Sequence, residues 1–445
     1  MDPRARRWIS WTFIITFFIL APVIILSTAG FRYNFDRHRL ERTGVVMVES
    51  RPTGASVSLN GKPQKTETPA HLGAITPGTY SVRVEKAGYR TWTKTVAVGS
   101  RETAFLNQIA LFRAEAPVMF KDVSNLSVVA FTNDARYASA VASASSGSEL
   151  VVVDTKSGTT HLPYRSSASA DSFRLNWSNN GRFLLITRTA KNPSFLLWSA
   201  SEPERVRDLS TETSINFTEA FWAQDANSLY GVSKGVLYAI ETDLLTATPT
   251  GPSIVEPVVA NDVVYGIVSN ETPTLARRRL RDQTFETVAQ LPTSGFVPIR
   301  STSARVAYAS KTGERLFVID ASGDRPTAFE GRGRDGVWSA DGSKLLYWSD
   351  LELRLYDTRA GSDELINRLS GPITQAAWHH PEWNALYAVN DALYAIETMD
   401  QFGRVTVPLA DFTRMNRFAV SPNGDTAFVF GTKDGASGLW KLRLR

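Results

Sequence analysis

Trp177-Ser178-Asn179-Asn180-Gly181-Arg182-Phe183 and Trp338-Ser339-Ala340-Asp341-Gly342 carry one signature: an aromatic residue, Ser, a variable position, Asn or Asp, then Gly. The same register fits Phe131-Thr132-Asn133-Asp134-Ala135-Arg136-Tyr137, Trp222-Ala223-Gln224-Asp225-Ala226, Trp378-His379-His380-Pro381 and Phe418-Ala419-Val420-Ser421-Pro422-Asn423-Gly424. Degenerate copies lie near Val258 to Tyr265 and near Ile299 to Tyr308, so copies run through residues 114–445. Asn, Asp and Gly form tight turns, and an apolar strand follows each turn, as from Lys344 to Trp348 or Ala385 to Val389. The next strand often ends in an acid: Leu150 to Asp154, Leu237 to Glu241, Leu316 to Asp320, Leu353 to Asp357, Leu393 to Glu397. A period of roughly 40 residues built from several short strands is the pattern of β-propeller blades. The copies predict eight blades, with seven as the alternative, and anchor aromatics on inner strands that pack between adjacent blades. The last copy offers only three strands, from Arg417, Thr426 and Leu439. Its fourth is expected from the N-terminal side of the repeats, Phe105 to Phe112 or Val118 to Val123, which would close the ring and remove exposed edges.

This aromatic-Ser-x-Asn/Asp-Gly pattern resembles TolB-type and WD-like propellers, although the Gly-His and Trp-Asp dipeptides of WD repeats are absent. Upstream, from Gly44, the apolar period is two: Val46, Val48, then Val57, Leu59, then Tyr80, Val82, Val84. Such alternation is that of half-buried strands. Asn60-Gly61 is a hairpin turn, because both residues tolerate positive φ. About six short strands are expected over residues 44–113, as a small sandwich. The stretch Ser50-Arg51-Pro52-Thr53-Gly54-Ala55, then Val57 to Lys62, Thr68-Pro69, Pro77-Gly78-Thr79-Tyr80 and Gly88-Tyr89-Arg90 with Trp92 resembles the PEGA domain, with Thr53 where the name-giving Glu stands. The resemblance implies an exported, surface-associated protein and no catalysis by this domain. Pro52, Gly54 and Gly88 are read as turn residues, Tyr80 and Trp92 as core.

Between Arg7 and Arg32, residues Trp8 to Phe31 carry no charge. As a helix they would extend roughly 36 Å, enough to cross a hydrocarbon core of about 30 Å. Trp8 and Trp11 at one end and Tyr33 at the other suit the interfacial belt, flanked by Arg7 and Arg32. A retained anchor is expected, with a cleaved signal before Gly30 as the alternative. The arginines flank both sides, so their count does not orient the helix. The short tail of residues 1–7, with Arg4, Arg6 and Arg7, resists crossing against the membrane potential. The expectation is therefore a single-pass cell-membrane protein, with a cytoplasmic tail (1–7), a span (8–31), a juxtamembrane linker (32–43) and the two β-domains (44–113 and 114–445) outside. The whole is all-β after its one helix.

The chemistry is sparse. The chain has 445 residues, no Cys and five His, which leaves no thiol catalysis, disulfide or Cys-ligated metal. No nucleophile elbow, phosphate loop or His-Glu-x-x-His helix is present. Residues 1–42 carry most of the formal +5, so the folded domains lack the basic face that nucleic acid requires. His379-His380 is read as a solvated turn and Arg277, Arg278, Arg279 and Arg281 as a solvated strand face. No cofactor and no enzymatic activity are expected. The partners expected are the lipid bilayer and an envelope protein or cell-surface polysaccharide. Binding is placed on the rim formed by the middle-strand hairpins, with Ser146, Lys191, Asn270, Lys311 and Lys433 as candidate residues. The alternative is an envelope hydrolase with its active site at the propeller channel.

Overall fold

The computed structural model describes residues 3–28, 30–34, 39–189, 191–223, 228–268, 272–291, 295–299, 305–312, 315–320 and 327–445. Asn270 and Ala29, the latter at the alternative cleavage site, lie outside them. The chain divides into two compact units, residues 1–114 with 399–407 and Arg445, and residues 115–398 with 408–444.

In the first unit, Pro3–Thr28 is one α-helix, and its stretch Ser10–Thr28 is long and apolar enough to cross a membrane by length and composition. Two of its hydroxyls bond back within the helix: Thr12 Oγ1 donates to the Trp8 carbonyl and Thr28 Oγ1 to that of Ile24, each at 2.9 Å. The helix ends before Phe31. Phe31–Asn34 is instead a strand paired with Arg39–Arg42, so Arg32 and Tyr33 stand on a hairpin rather than in a linker.

The small β-domain stacks two sheets. Ala70–Ile75, Gly44–Arg51 and Thr103–Ala110 form one; Lys62–Glu67, Ser56–Leu59, Gly78–Glu85 and Trp92–Val98 form the other. Strict alternation sends Val46, Val48, Val57, Val82, Val84, Trp92, Val96 and Leu106 into the shared core. Asn60 and Gly61 both have positive φ, +47° and +76°, as the hairpin between Ser56–Leu59 and Lys62–Glu67 requires. Thr68 Oγ1, buried, accepts from the Ala55 amide at 3.0 Å and meets Ser50 Oγ at 2.7 Å, pinning the turn through Pro52 and Gly54.

Among the described residues the second unit holds eight four-stranded antiparallel sheets. Their inner strands, first blade to eighth, are Leu126–Phe131, Phe173–Trp177, Glu219–Trp222, Val255–Ala260, Phe296–Ile299, Asp335–Trp338, Ile373–His379 and Arg414–Val420. The first inner strand touches the second, the second the third, the sixth the seventh, the seventh the eighth, and the eighth returns to the first. Apolar cores sit between blades: Val152, Leu184 and Trp198 between first and second, Val232 and Val259 between third and fourth, Ala307 and Trp338 between fifth and sixth. The closing strand is Val118–Asp122, antiparallel to Ala436–Arg443 of the eighth blade. The other candidate, Phe105 to Phe112, belongs to the small domain, where Thr103–Ala110 runs parallel to Gly44–Arg51. Among the described residues of this unit the only helical turns are Ala170–Ser172 and Leu209–Thr213.

The anchor aromatics lie between blades, as expected. The indole N–H of Trp177 donates to Ser139 Oγ of the first blade, that of Trp222 to the Asn176 carbonyl of the second, and that of Trp378 to the Val337 carbonyl of the sixth, each at 3.0 Å. Two solvated readings are corrected. His379 is fully buried, and its Nε2 lies 2.9 Å from the Gly424 carbonyl of the next blade; only His380 is exposed. Arg278 is 2% exposed, and its guanidinium donates to the carbonyls of Pro252, Thr250, Arg279, Leu280 and Asp282. Gly251 makes room for it, since a Cβ there would lie 3.2 Å from Arg278 Nη1.

Candidate functional site

Four inner strands break register near their starts, and three of them do so at a single residue. The ladder slips between Leu126 and Val128 in the first blade, between Ile373 and Gln375 in the seventh, and between Met415 and Arg417 in the eighth. Each slip leaves one extra residue, Ser127, Thr374 or Asn416, outside the pairing. A bulge re-aims the side chain it carries, and here each of those side chains is small and hydrogen-bonding. All three line one cavity of about 370 Å³, together with Val128, Val129, Asp335, Gln375 and Arg417. The lining comes from the inner strands of the sixth, seventh, eighth and first blades, so the cavity lies on the inner side of the ring beside the closure.

The lining groups differ in how far they are committed. Gln375 is a structural clamp: its Nε2 donates to the Phe418 carbonyl at 2.7 Å and its Oε1 accepts from the Phe418 amide at 3.0 Å. Asp335 accepts the Gly336 amide on Oδ1 at 2.8 Å. Arg417 is exposed and Asn416 half-buried, and neither side chain makes a hydrogen bond or ion pair among the described residues.

Pairing places the cavity at one end of the strands. Asp335 is opposite Trp348, which pairs with Leu353; Gln375 is opposite Ala388, which pairs with Leu393; Arg417 is opposite Phe430, which pairs with Leu439. In each blade this level adjoins the hairpin between the second and third strands. The cavity therefore opens at the rim that carries the middle-strand hairpins. Ser146 lies in the two-residue turn of the first blade and is exposed, as is Lys191. Lys311 reaches inward to Glu256 of the fourth inner strand, 3.2 Å away. Lys433 donates to the Asp411 carbonyl at 3.1 Å. The structure thus gives Lys311 and Lys433 partners within the rim and leaves Ser146 and Lys191 exposed.

Across the channel, Glu219 occupies in the third blade the register of Asp335 in the sixth: it pairs with Val232 while Trp222 pairs with Leu229, as Asp335 pairs with Trp348 while Trp338 pairs with Leu345. Burial, and secondarily the carboxylate of Glu256, pushes the Glu219 carboxyl up to about 7. The sequence held a signal for this level: Arg174, Glu219, Asp335 and Gln375 each stand three residues before an anchor Trp. Ser127, Thr374 and Asn416 carried none, because a bulge is a property of pairing. No group of three or more acidic or His side chains able to hold a metal exists among the described residues.

Residues 43–109 match the PEGA domain. No curated protein matches the sequence. Among solved structures, similar chains include the Cps50 (Swd1) β-propeller domain of Myceliophteria thermophila, at 13% identity and TM-score 0.42, covering 73% of this chain and 99% of that one. An oligogalacturonate lyase in complex with manganese is similar at 14% identity and TM-score 0.41, covering 69% and 96%. A chain of the mitotic checkpoint complex is similar at 13% and 0.42, covering 75% and 93%.

Proposed function

We propose that this chain, a PEGA domain and an eight-bladed β-propeller behind one apolar helix, is a membrane-anchored binding or scaffold protein of a prokaryotic envelope. In this reading the helix Pro3–Thr28 spans the cell membrane with its N-terminus in the cytoplasm, and both β-domains lie outside. The propeller's hairpin rim is the working face, toward an envelope protein or a cell-surface polysaccharide. The observation that carries it is the convergence of three bulged polar residues and an unpaired Arg417 on one cavity, at the end of the channel where the hairpins emerge. Loops and irregular edges on a rigid scaffold are where function concentrates. The test is to replace the hairpins at Ser145-Ser146, Lys191 and Asp434-Gly435 with Asn-Gly turns, then crosslink in native membranes. The expected result is an unchanged melting temperature with loss of the crosslinked partner; a partner retained at wild-type yield would move the working face elsewhere.

A hydrolase with its active site at the channel is the second reading, favoured by one group. A carboxyl titrating near neutrality, as Glu219 does, is suited to general acid or base chemistry. Its carboxylate neighbour Glu256 is already paired with Lys311. An activity dependent on Glu219 would be lost in Glu219→Gln, with a rate that falls above pH 7 if it acts as general acid and below pH 7 if it acts as general base.

A further inference from the structure

We propose that the cavity at the ring closure is a carboxylate-binding site, with Arg417 receiving the anion and Asn416 and Thr374 ordering it. The proposal rests on the reading of the rim as a binding face and names what that face takes.

The argument starts from commitment. Three cations at this end of the propeller are occupied, Lys311 by Glu256, Lys433 by the Asp411 carbonyl, and Arg334 by Asp350 at 2.7 Å and by the Ile373 carbonyl, and none of the three lines the cavity. Arg417 stands on the cavity wall with its guanidinium unspent among the described residues. A guanidinium presents a planar fork of donors that fits a carboxylate through two parallel hydrogen bonds. Asn416, the adjacent bulge residue, adds an amide donor, and Thr374 a hydroxyl whose contact with the Ala388 carbonyl is long, at 3.4 Å. Asp335, on the wall from the sixth blade, restricts the choice. Its carboxylate repels a second anion unless the ligand turns N–H or O–H donors toward it. The complement is therefore a carboxylate with hydrogen-bond donors on neighbouring atoms. A cavity of about 370 Å³ sits near the lower end of ligand pockets. It holds a ligand of residue size, not a folded segment. Two sources present that chemistry: the C-terminus of a partner chain, whose last amide N–H flanks its carboxylate, and a free hydroxylated acid.

Full-length protein in detergent micelles is titrated calorimetrically with trialanine, trialanine amide and D-glucuronate. Binding of trialanine, with at least tenfold weaker binding of its amide, identifies a chain terminus as the source. Binding of D-glucuronate with no response to trialanine identifies a small acid. Either supports the site, and in either case Arg417→Gln should weaken binding at least tenfold and Asn416→Ala several-fold. Unchanged melting temperatures keep these losses local, since neither side chain holds the fold. Absence of heat with both acids at millimolar concentration, equal binding of trialanine and its amide, or Arg417→Gln binding like wild type each overturns the proposal. If partner crosslinking through the rim persists in that event, the binding-face reading stands and only the ligand chemistry falls.

Discussion

Ser339 uses its hydroxyl in both directions: Oγ donates to Asp341 Oδ1 at 2.8 Å and accepts the Lys344 amide at 2.9 Å. The Gly342 amide closes the same turn on the Ser339 carbonyl at 2.9 Å. Ser178 with Asn180 and Ser421 with Asn423 repeat the arrangement, and Thr132 with Asp134 a close variant. The Ser-x-Asx-Gly signature is thus a self-contained hydrogen-bond set, which is why one stretch of sequence revealed the fold. Hydrogen bonds from the Ser343 amide, the Ser343 hydroxyl and the Ser339 hydroxyl hold the Asp341 carboxyl below the usual range. Ser339→Ala leaves the buried turn without its acceptor and should cost about 1–3 kcal/mol in denaturant unfolding. Glu219 behaves oppositely. Its folded pKa, about 7, lies above its ordinary value of 4.5, so the folded state keeps a proton that the unfolded chain has released. The resulting penalty is absent below about pH 4, grows through the interval and is complete above about pH 7. Glu219→Gln should therefore stabilise the protein by about 1–3 kcal/mol at pH 8 and change little at pH 4, as read from melts at the two pH values. Arg278 escaped the sequence reading because a run of arginines looks solvated. Aligned with Leu237 to Ile240 and Leu316 to Ile319, it falls where Ile240 and Ile319 stand, which marks it as a core position.

At the scale of elements, blades with intact turn signatures were legible, and the degenerate ones were placed by spacing alone. The fourth blade reverses through Asn261 and Asp262, with φ of +49° and +59°, between Ala260 and Val263. That two-residue turn needs no Ser or Gly, so the signature disappears while the hairpin stays. The bulges at Ser127, Thr374 and Asn416 were invisible for a different reason: alternation continues on either side, and only the partner strand shows the extra residue. In the small domain the strands through Val46, Val57 and Tyr80 were legible, because its Asn-Gly turn and period-two valines act locally, and seven strands stand where about six were expected. The N-terminal helix was read from absence of charge, and the hairpin Phe31–Asn34 with Arg39–Arg42 was missed because its residues are charged and aromatic without alternation. If the helix is a retained anchor, full-length protein should stay in the membrane pellet through a high-pH carbonate wash. Recovery in the supernatant of a chain beginning near Gly30 would show that the helix is removed.

For the whole molecule, ring closure makes a single cavity out of repeated sheets. The eighth blade is completed from both ends of the repeat region, Val118–Asp122 beside Ala436–Arg443. Only a closed ring sets Ser127 of the first blade beside Asn416 and Arg417 of the eighth around one cavity. Closure also buries Phe131, Phe428 and Phe430 in the joint between those blades, and rings in such contact contribute about 0.5–1.5 kcal/mol per pair beyond their burial. Val118 and Lys441 are directly paired, and paired antiparallel residues lie within the Cα separation that a disulfide spans. The chain has no native Cys to interfere. The most direct test is to introduce Val118→Cys with Lys441→Cys, alongside Thr432→Cys with Ser437→Cys as a pair within one hairpin of the same blade, and to oxidise the folded protein. The closed ring predicts that both pairs form intramolecular disulfides in high yield. A disulfide in the Thr432–Ser437 pair but not between positions 118 and 441 would contradict it.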